Sequence, residues 1–123
     1  ITGLHGNASC RLVAMDNLNA LLTTGITVFA FDFAGSGLSE GKYVSLGFHE
    51  QEDLKIVIAH LRASKEVSTI GLWGRSMGAA TALLYAHRDP SIAGMVLDSS
   101  FANMYKLCRE MVRFAEKQGW YGI

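Results

Sequence analysis

Apolar residues are arranged along the chain in two patterns, short continuous runs and longer runs with a spacing of three and four. The continuous runs are rich in β-branched and aromatic residues, which is typical of strands buried on both faces of a parallel sheet. The spaced runs predict amphipathic helices that cover such a sheet. The predicted strands are 1–4, 26–33, 69–73 and 92–98, and the predicted helices are 9–24, 48–63, 76–87 and 101–117.

Local signals support the helix boundaries. Ser9 is a candidate N-cap of the first helix, which Gly25 ends, and Gly119 stops the last one. The second helix opens on an acidic turn (Glu50, Glu52, Asp53), which suits the helix dipole. The predicted core-facing residues are Leu12, Met15, Leu18, Leu21 and Leu22 on the first helix, Leu54, Val57, Ile58 and Leu61 on the second, and Met104, Cys108, Met111, Val112 and Ala115 on the last.

The alternation of strands and helices predicts an α/β fold, with a mostly parallel sheet between layers of helices. No repeat or linker is visible, so residues 1–123 are expected to form a single domain. The chain starts at Ile1 within an apolar run. We therefore expect a domain that is truncated at both ends, in which a partner covers the incomplete sheet.

Composition narrows the function classes. The 123 residues are 50% apolar and 18% charged, which favours a packed core over disorder. The formal net charge is zero and no run of Lys or Arg occurs, so the sequence predicts neither nucleic-acid binding nor insertion into a membrane. Cys10 and Cys108 fit no metal or redox spacing. Free thiols in a reducing, cytoplasmic compartment are expected, with a disulfide as the alternative.

The stretch Gly74-Arg75-Ser76-Met77-Gly78 is the strongest chemical signal. It joins a predicted buried strand to an alanine-rich helix, and this context gives the Gly-x-Ser-x-Gly pattern its weight. A sharp turn there would hold the serine in a strained conformation with its hydroxyl exposed. Glycines on both sides would leave room for the neighbouring strand and helix. The sequence therefore predicts that Ser76 is a nucleophile at a helix N-terminus.

Several motifs occur together and in order: "LHGNAS" from Leu4, "DFAGSGLS" from Asp32, "GLWGRSMGAA" from Gly71 and "GMVLDSSF" from Gly94. In these motifs the chain resembles the α/β-hydrolase superfamily over nearly its whole length. The resemblance is nearest to the serine-hydrolase branch with peptidase-like and acyl-thioesterase-like members. It implies a three-layer α/β/α fold, of which the chain is the N-terminal portion.

The resemblance also implies residue roles. Ser76 would be the nucleophile, and the backbone N–H groups of Met77 and Asn7 would form the oxyanion hole. His5 resembles a structural histidine that braces the loop containing Gly6. Asp32 and Ser39 would shape the loop after the second strand.

The chain departs from the family where the nucleophile would be activated. In the superfamily an acid and then a histidine follow the serine. After Ser76 the only histidine is His87, about 16 Å away along the same helix. No catalytic histidine is visible, since surface or core roles are favoured for His49 and His60. Asp98 is a candidate acid, and a structural role is its alternative.

Two functions follow from these observations. The first is a serine hydrolase that cleaves an ester, thioester or amide through an acyl-enzyme on Ser76, with a small-molecule or acyl substrate and no metal or cofactor. The second is a non-catalytic hydrolase homologue that serves as a scaffold or subunit.

Four further features favour structural explanations. The Asn7-Ala8-Ser9 glycosylation sequon overlaps the oxyanion loop, where a glycan would block the site. Gly35-Ser36-Gly37 lacks the lysine and spacing of a phosphate loop. Trp73 is expected in the core, and Trp120 and Tyr121 are expected to pack on further structure.

Overall fold

The structure is a computed structural model that describes residues 1–119, so the prediction for Trp120 and Tyr121 lies outside the described residues. Each of the eight elements expected from the sequence is present. They are β1 (Thr2–Leu4), a 3₁₀ turn (Arg11–Ala14) that leads into α1 (Met15–Thr23), β2 (Phe29–Ala30), α2 (Glu50–Ala63), β3 (Gly71–Arg75), α3 (Met77–Ala86), β4 (Gly94–Asp98) and α4 (Met104–Lys117).

The four strands form one parallel sheet in the order β2-β1-β3-β4. The register pairs Leu4 with Gly74 and Arg75 with Asp98, so the carboxyl ends of β1, β3 and β4 lie side by side. The predicted α/β fold with a parallel sheet is confirmed. In open sheets of this kind, ligands bind at the carboxyl ends of the strands.

Two helices cover one face of the sheet, and the 3₁₀ turn packs on the other. On one face, α3 packs on β1, β3 and β4, and α2 packs against α3. On the other face, the Cβ position of Gly3 lies 3.3 Å from the Cβ of Ala14 in the 3₁₀ turn. The core lies on the first face, and its members are Leu4, Phe33, Leu54, Ile58, Leu61, Ile70, Leu72, Met77, Ala82 and Tyr85.

The predicted helix 9–24 differs from the structure at its start and on its apolar face. Ser9 is not the cap, because Cys10 occupies the N-cap position of the 3₁₀ turn and makes no side-chain cap bond. The turn, rather than α1, packs on β1 and β2. None of the residues of α1 is therefore buried, and Met15 is 62% exposed.

The expectation of strands buried on both faces is wrong for the two outer strands. The apolar run 26–33 forms only the two-residue strand β2, at one edge of the sheet, with both residues half-buried. All five residues of β4, at the other edge, are exposed. An edge strand has a neighbour on one side only, so it is buried less than the inner strands β1 and β3.

The last helix makes no packing contact with another helix or strand among residues 1–119. Asn103 caps it, since its side-chain oxygen accepts from the Lys106 N–H at 2.8 Å. The predicted apolar face includes Met111 and Val112, which are both exposed. The amphipathic pattern predicted the helix, and this is confirmed. The apolar face, however, is not buried against any of residues 1–119.

Cys10 and Cys108 are both free thiols, as expected. Among residues 1–119, no helix has the length and apolar character needed to span a bilayer.

Candidate active site

Ser76 occupies a strained turn between β3 and α3. Its φ of 52° and ψ of −110° lie in a region that residues with a side chain rarely adopt. The turn is tight because glycines stand on both sides. A Cβ at Gly74 would lie 2.3 Å from the carbonyl oxygen of Gly78, and one at Gly78 would lie 2.1 Å from that of Leu4. Neither backbone could give way without moving a strand or helix.

Hydrogen bonds fix the turn on both sides of Ser76. Its N–H donates to the carbonyl oxygen of Asp98 at 2.8 Å, and its carbonyl accepts from the Ala80 N–H at 3.0 Å. Met77, the first residue of α3, is fully buried. As a first-turn residue, its N–H has no acceptor within the helix and lies at the positive end of the helix dipole.

The loop after β1 approaches Ser76 directly. The Cβ position of Gly6 lies 3.6 Å from the Cβ of Ser76 and 3.4 Å from the carbonyl oxygen of Arg75. Asn7 follows Gly6 and is exposed, and Ala8 has a φ of 53°. The structure therefore brings together two groups that the sequence predicts as partners, the loop at Gly6 and the turn at Ser76.

His5 is buried, and hydrogen bonds occupy both of its ring nitrogens. The Phe33 N–H donates to Nε2 at 3.1 Å, so Nε2 carries a lone pair. The proton is therefore on Nδ1, which donates to the carbonyl oxygen of Gly6 at 2.8 Å. In this arrangement the imidazole links the loop after β1 to the loop after β2, and neither nitrogen can accept a proton from Ser76.

Asp32 makes a second link between the same two loops. Its buried carboxylate accepts from the Arg11 N–H at 2.6 Å, from the Arg11 guanidinium, and from the Leu38 N–H at 2.9 Å. The bond from Leu38 and the contacts with Arg11 hold the pKa of Asp32 below its usual value, although burial acts in the opposite direction. The Ser39 hydroxyl donates to the Asp32 carbonyl at 2.7 Å.

The sequence did not indicate the role of Arg11. Its partner is 21 residues away, and no local spacing relates the two. The one available signal was Asp32 inside the apolar run 26–33, since a carboxylate in such a place needs a cation or several N–H donors.

Asp98, the candidate acid, lies beside Arg75 at the ends of β3 and β4. Its carboxylate is 3.5 Å from the Arg75 Nε and accepts from the Ser99 hydroxyl at 2.7 Å. Both Arg75 and Asp98 line a cavity of about 180 Å³ between the sheet and the segment of the 3₁₀ turn and α1. Trp73 also lines this cavity and is only half-buried, so it is less enclosed than predicted.

The other three histidines belong to α2 and α3. His87 is the C-cap of α3, about 15 Å along the helix from its first residue. His49 and His60 are exposed at the beginning and near the end of α2. Among residues 1–119, no histidine ring is hydrogen-bonded to the Ser76 hydroxyl, and both ring nitrogens of His5 bond elsewhere.

A parallel sheet that alternates with helices along the chain, and a strained serine between its third strand and the following helix, define the α/β-hydrolase class. Comparison with known families agrees. The chain belongs to the Hydrolase_4 family, described as serine aminopeptidase of type S33, whose model matches residues 1–119.

Relatives and solved structures share this region. The Bacillus subtilis protein YqkD is 42% identical over 102 residues, which are 76% of this chain and 33% of YqkD. An esterase from Pyrococcus furiosus superposes with a TM-score of 0.84 at 34% identity, over 94% of this chain and 48% of the esterase. A monoacylglycerol lipase from Paleococcus ferrophilus gives a TM-score of 0.71 at 28% identity, over 98% of this chain and 46% of the lipase. The chain thus spans between a third and a half of these proteins.

Proposed function

We propose that the protein is a serine hydrolase that cleaves carboxylic esters through an acyl-enzyme on Ser76. One observation carries the proposal. Ser76 adopts a left-handed, strained conformation that Gly74 and Gly78 permit, at the carboxyl edge of the sheet. A conformation that costs about 1–3 kcal/mol persists only when the surroundings enforce it, and such strain clusters at active sites.

In the proposed reaction the Ser76 hydroxyl oxygen attacks the ester carbonyl carbon and loses its proton to a general base. The Met77 and Asn7 N–H groups then hydrogen-bond the oxyanion of the tetrahedral intermediate. When the intermediate collapses, the C–O bond to the leaving group breaks and the alkoxide takes the proton from the base. A water molecule releases the acyl group by the same route.

We propose that the general base is supplied from outside these 123 residues. The four histidines of the chain are His5, His49, His60 and His87. His5 uses both ring nitrogens in hydrogen bonds, and the other three lie on α2 or at the far end of α3. The relatives and solved structures extend beyond the region that they share with this chain. The base and its acid would come from an equivalent further segment or from a partner. Asp98 remains a candidate for the acid.

Ester chemistry is preferred to thioester or amide chemistry on the strength of the similar structures. An esterase and a monoacylglycerol lipase both cover nearly all of the chain at TM-scores above 0.7. Their names indicate that this arrangement serves ester cleavage in other proteins. The choice among acyl groups depends on segments beyond β4.

The test is covalent labelling of the protein, as it is made in the cell, with a fluorophosphonate probe. We expect one adduct, located on Ser76, and loss of both labelling and ester hydrolysis in Ser76→Ala. Ser68→Ala is the matched control, because Ser68 is also a serine next to β3 but is exposed at the opposite end of the strand. That variant should label like the wild type.

The alternative is a non-catalytic homologue that serves as a scaffold, and the placement of the four histidines is the observation in its favour. Absence of an adduct on folded wild-type protein, at probe concentrations that label known esterases fully, would support the scaffold and overturn the hydrolase proposal. Labelling that persists in Ser76→Ala would place the nucleophile elsewhere.

A further inference from the structure

The loop that carries Asn7 is attached at both ends to two consecutive residues that follow β2. At its start, His5 accepts from the Phe33 N–H at 3.1 Å. At its end, Arg11 donates to the carboxylate of Asp32 through its backbone N–H, at 2.6 Å, and through its guanidinium. We call the segment 5–11 the arch, since its two ends are hydrogen-bonded to the neighbouring residues Phe33 and Asp32.

The two attachments differ in strength. The first is a single neutral hydrogen bond. The second joins a guanidinium to a carboxylate whose side chain is 2% exposed, and such charge-assisted bonds are roughly twice as strong as neutral ones. The Leu38 N–H also donates to this carboxylate, at 2.9 Å, so a contact independent of Arg11 orients the Asp32 side chain. The end of the arch at Arg11 therefore has a rigid anchor.

The arch contacts the turn that holds Ser76 near its His5 end. Gly6 lies against the Ser76 Cβ, and Asn7 is the next residue. A shift of either end would move the Asn7 N–H relative to the Ser76 hydroxyl. An oxyanion hole depends on such placement, because a donor misplaced by about 1 Å can cost a hundredfold in rate.

We propose that Arg11 is a positioning residue for the hydrolysis, which acts through Asp32 to hold the Asn7 N–H at the distance that the oxyanion requires. This inference rests on the proposed function. Arg11 touches no reacting atom in this scheme. Its effect should therefore appear in the step in which the oxyanion forms, and little in the binding of the uncharged ester.

The experiment compares Arg11→Met and Arg11→Lys in the protein as it is made in the cell, with a short p-nitrophenyl ester as substrate. Met keeps the length of the stem and the backbone bond but removes the guanidinium. We expect kcat to fall roughly ten- to a hundredfold in Arg11→Met while KM changes by less than about threefold. Arg11→Lys keeps a charge near Asp32 and should recover part of the loss.

Two further measurements separate positioning from a loss of folded protein. Titration with the fluorophosphonate probe counts the reactive sites, so kcat is given per active site. A trifluoromethyl ketone forms an oxyanion on the serine, and its affinity for Arg11→Met should fall by the same factor as kcat/KM.

Arg62→Met is the matched control, since Arg62 makes a similar contact with Asp89, 2.9 Å apart, beyond the far end of α3. It should lower stability and leave kcat per active site unchanged.

The outcomes distinguish this inference from the proposed function. If the wild type reacts with the probe at Ser76 but Arg11→Met keeps wild-type kcat per active site and ketone affinity, the positioning role of Arg11 is wrong and the hydrolase proposal stands. An equal loss in Arg11→Met and Arg62→Met would show a general effect of stability and would also overturn it. A wild type that does not react at all overturns the hydrolase proposal itself.

Discussion

At the scale of single residues, the candidate site depends on two glycines, because a side chain at either position would not fit. Gly74 lies in β3, Gly78 in α3 and Gly94 in β4, and the space around their Cβ positions differs completely. Backbone atoms lie within 2.3 Å of the Cβ positions of the first two, whereas nothing lies within 4 Å of the Cβ position of Gly94. The turn at Ser76 brings α3 so close to β1 and β3 that only hydrogen fits there.

This contrast gives a prediction for Gly78→Ala. The added methyl group would overlap the carbonyl oxygen of Leu4, and that backbone is held in the sheet. We expect the free energy of unfolding to fall by about 3 kcal/mol or more, measured by urea denaturation. Gly94→Ala is the control and should change it by less than about 1 kcal/mol. Equal denaturation midpoints for the two variants would contradict the geometry described for the turn.

The same residues show how far a sequence can predict the site. Gly74, Ser76 and Gly78 stand in a motif whose spacing has a local mechanical reason, so the sequence placed the turn correctly. The contact between Arg11 and Asp32 has no such local reason, because it joins residues 21 positions apart that meet only when β1 and β2 pair. Interactions of this kind form only once the strands have paired, so no regular spacing of residues in the sequence predicts them.

At the scale of elements, the C-terminal end of α2 and the segment after α3 are joined by a polar cluster around Asp89. Its carboxylate accepts from the Ser91 hydroxyl at 2.7 Å and from the Tyr85 hydroxyl at 2.8 Å, and it pairs with Arg62 at 2.9 Å. Hydrogen bonds from Ser91, and then from Tyr85 and Arg62, lower the pKa of Asp89 to about 2, although burial opposes them. Burial and the contact with Asp89 raise the pKa of Tyr85 to about 12.

The lowered pKa of Asp89 sets a dependence of stability on pH. A carboxyl whose pKa is lower in the folded state stabilises the fold at pH values above its unfolded pKa of 3.8. That contribution is lost as the pH falls through about 2. We expect Asp89→Asn to be less stable than the wild type near neutral pH, and the difference to shrink between about pH 4 and pH 2.

Urea denaturation of both proteins at several pH values checks this expectation. Glu66→Gln is the control, because Glu66 also carries one carboxyl but is exposed. Its stability difference from the wild type should stay small throughout. A difference for Asp89→Asn that stays constant down to pH 2 would show that the cluster does not lower the pKa of Asp89.

The elements also show why the apolar pattern gave the number and order of strands and helices but not their burial. The spacing of Leu54, Ile58 and Leu61 predicted the buried face of α2, which packs against α3 and contributes to the core. The run 26–33 has the same apolar character as a central strand, yet only Phe29–Ala30 pairs. Burial depends on the neighbour that an element meets, and the neighbour is set by the topology of the whole sheet.

At the scale of the whole molecule, β4 presents consecutive exposed apolar residues at one edge of the sheet. Three successive residues of this edge strand, Met95, Val96 and Leu97, are exposed although they are apolar. An edge strand with unpaired backbone groups and apolar side chains is a template for pairing with another chain. We propose that further structure or a partner covers β4 in the working protein.

The 123-residue polypeptide by itself should therefore associate through β4. We expect sedimentation velocity to show a weight-average mass that rises with concentration, and the dye ANS to bind. Val96→Lys should reduce both effects, since a lysine on an exposed edge strand opposes strand pairing.

Ile56→Lys is the control. Ile56 is more exposed than Val96, 70% against 43%, but it lies on α2, where its backbone is hydrogen-bonded within the helix. If Ile56→Lys reduced association as much as Val96→Lys, general surface hydrophobicity would be the cause rather than the open edge. A wild-type polypeptide that stays monomeric and binds no ANS would mean that β4 needs no cover.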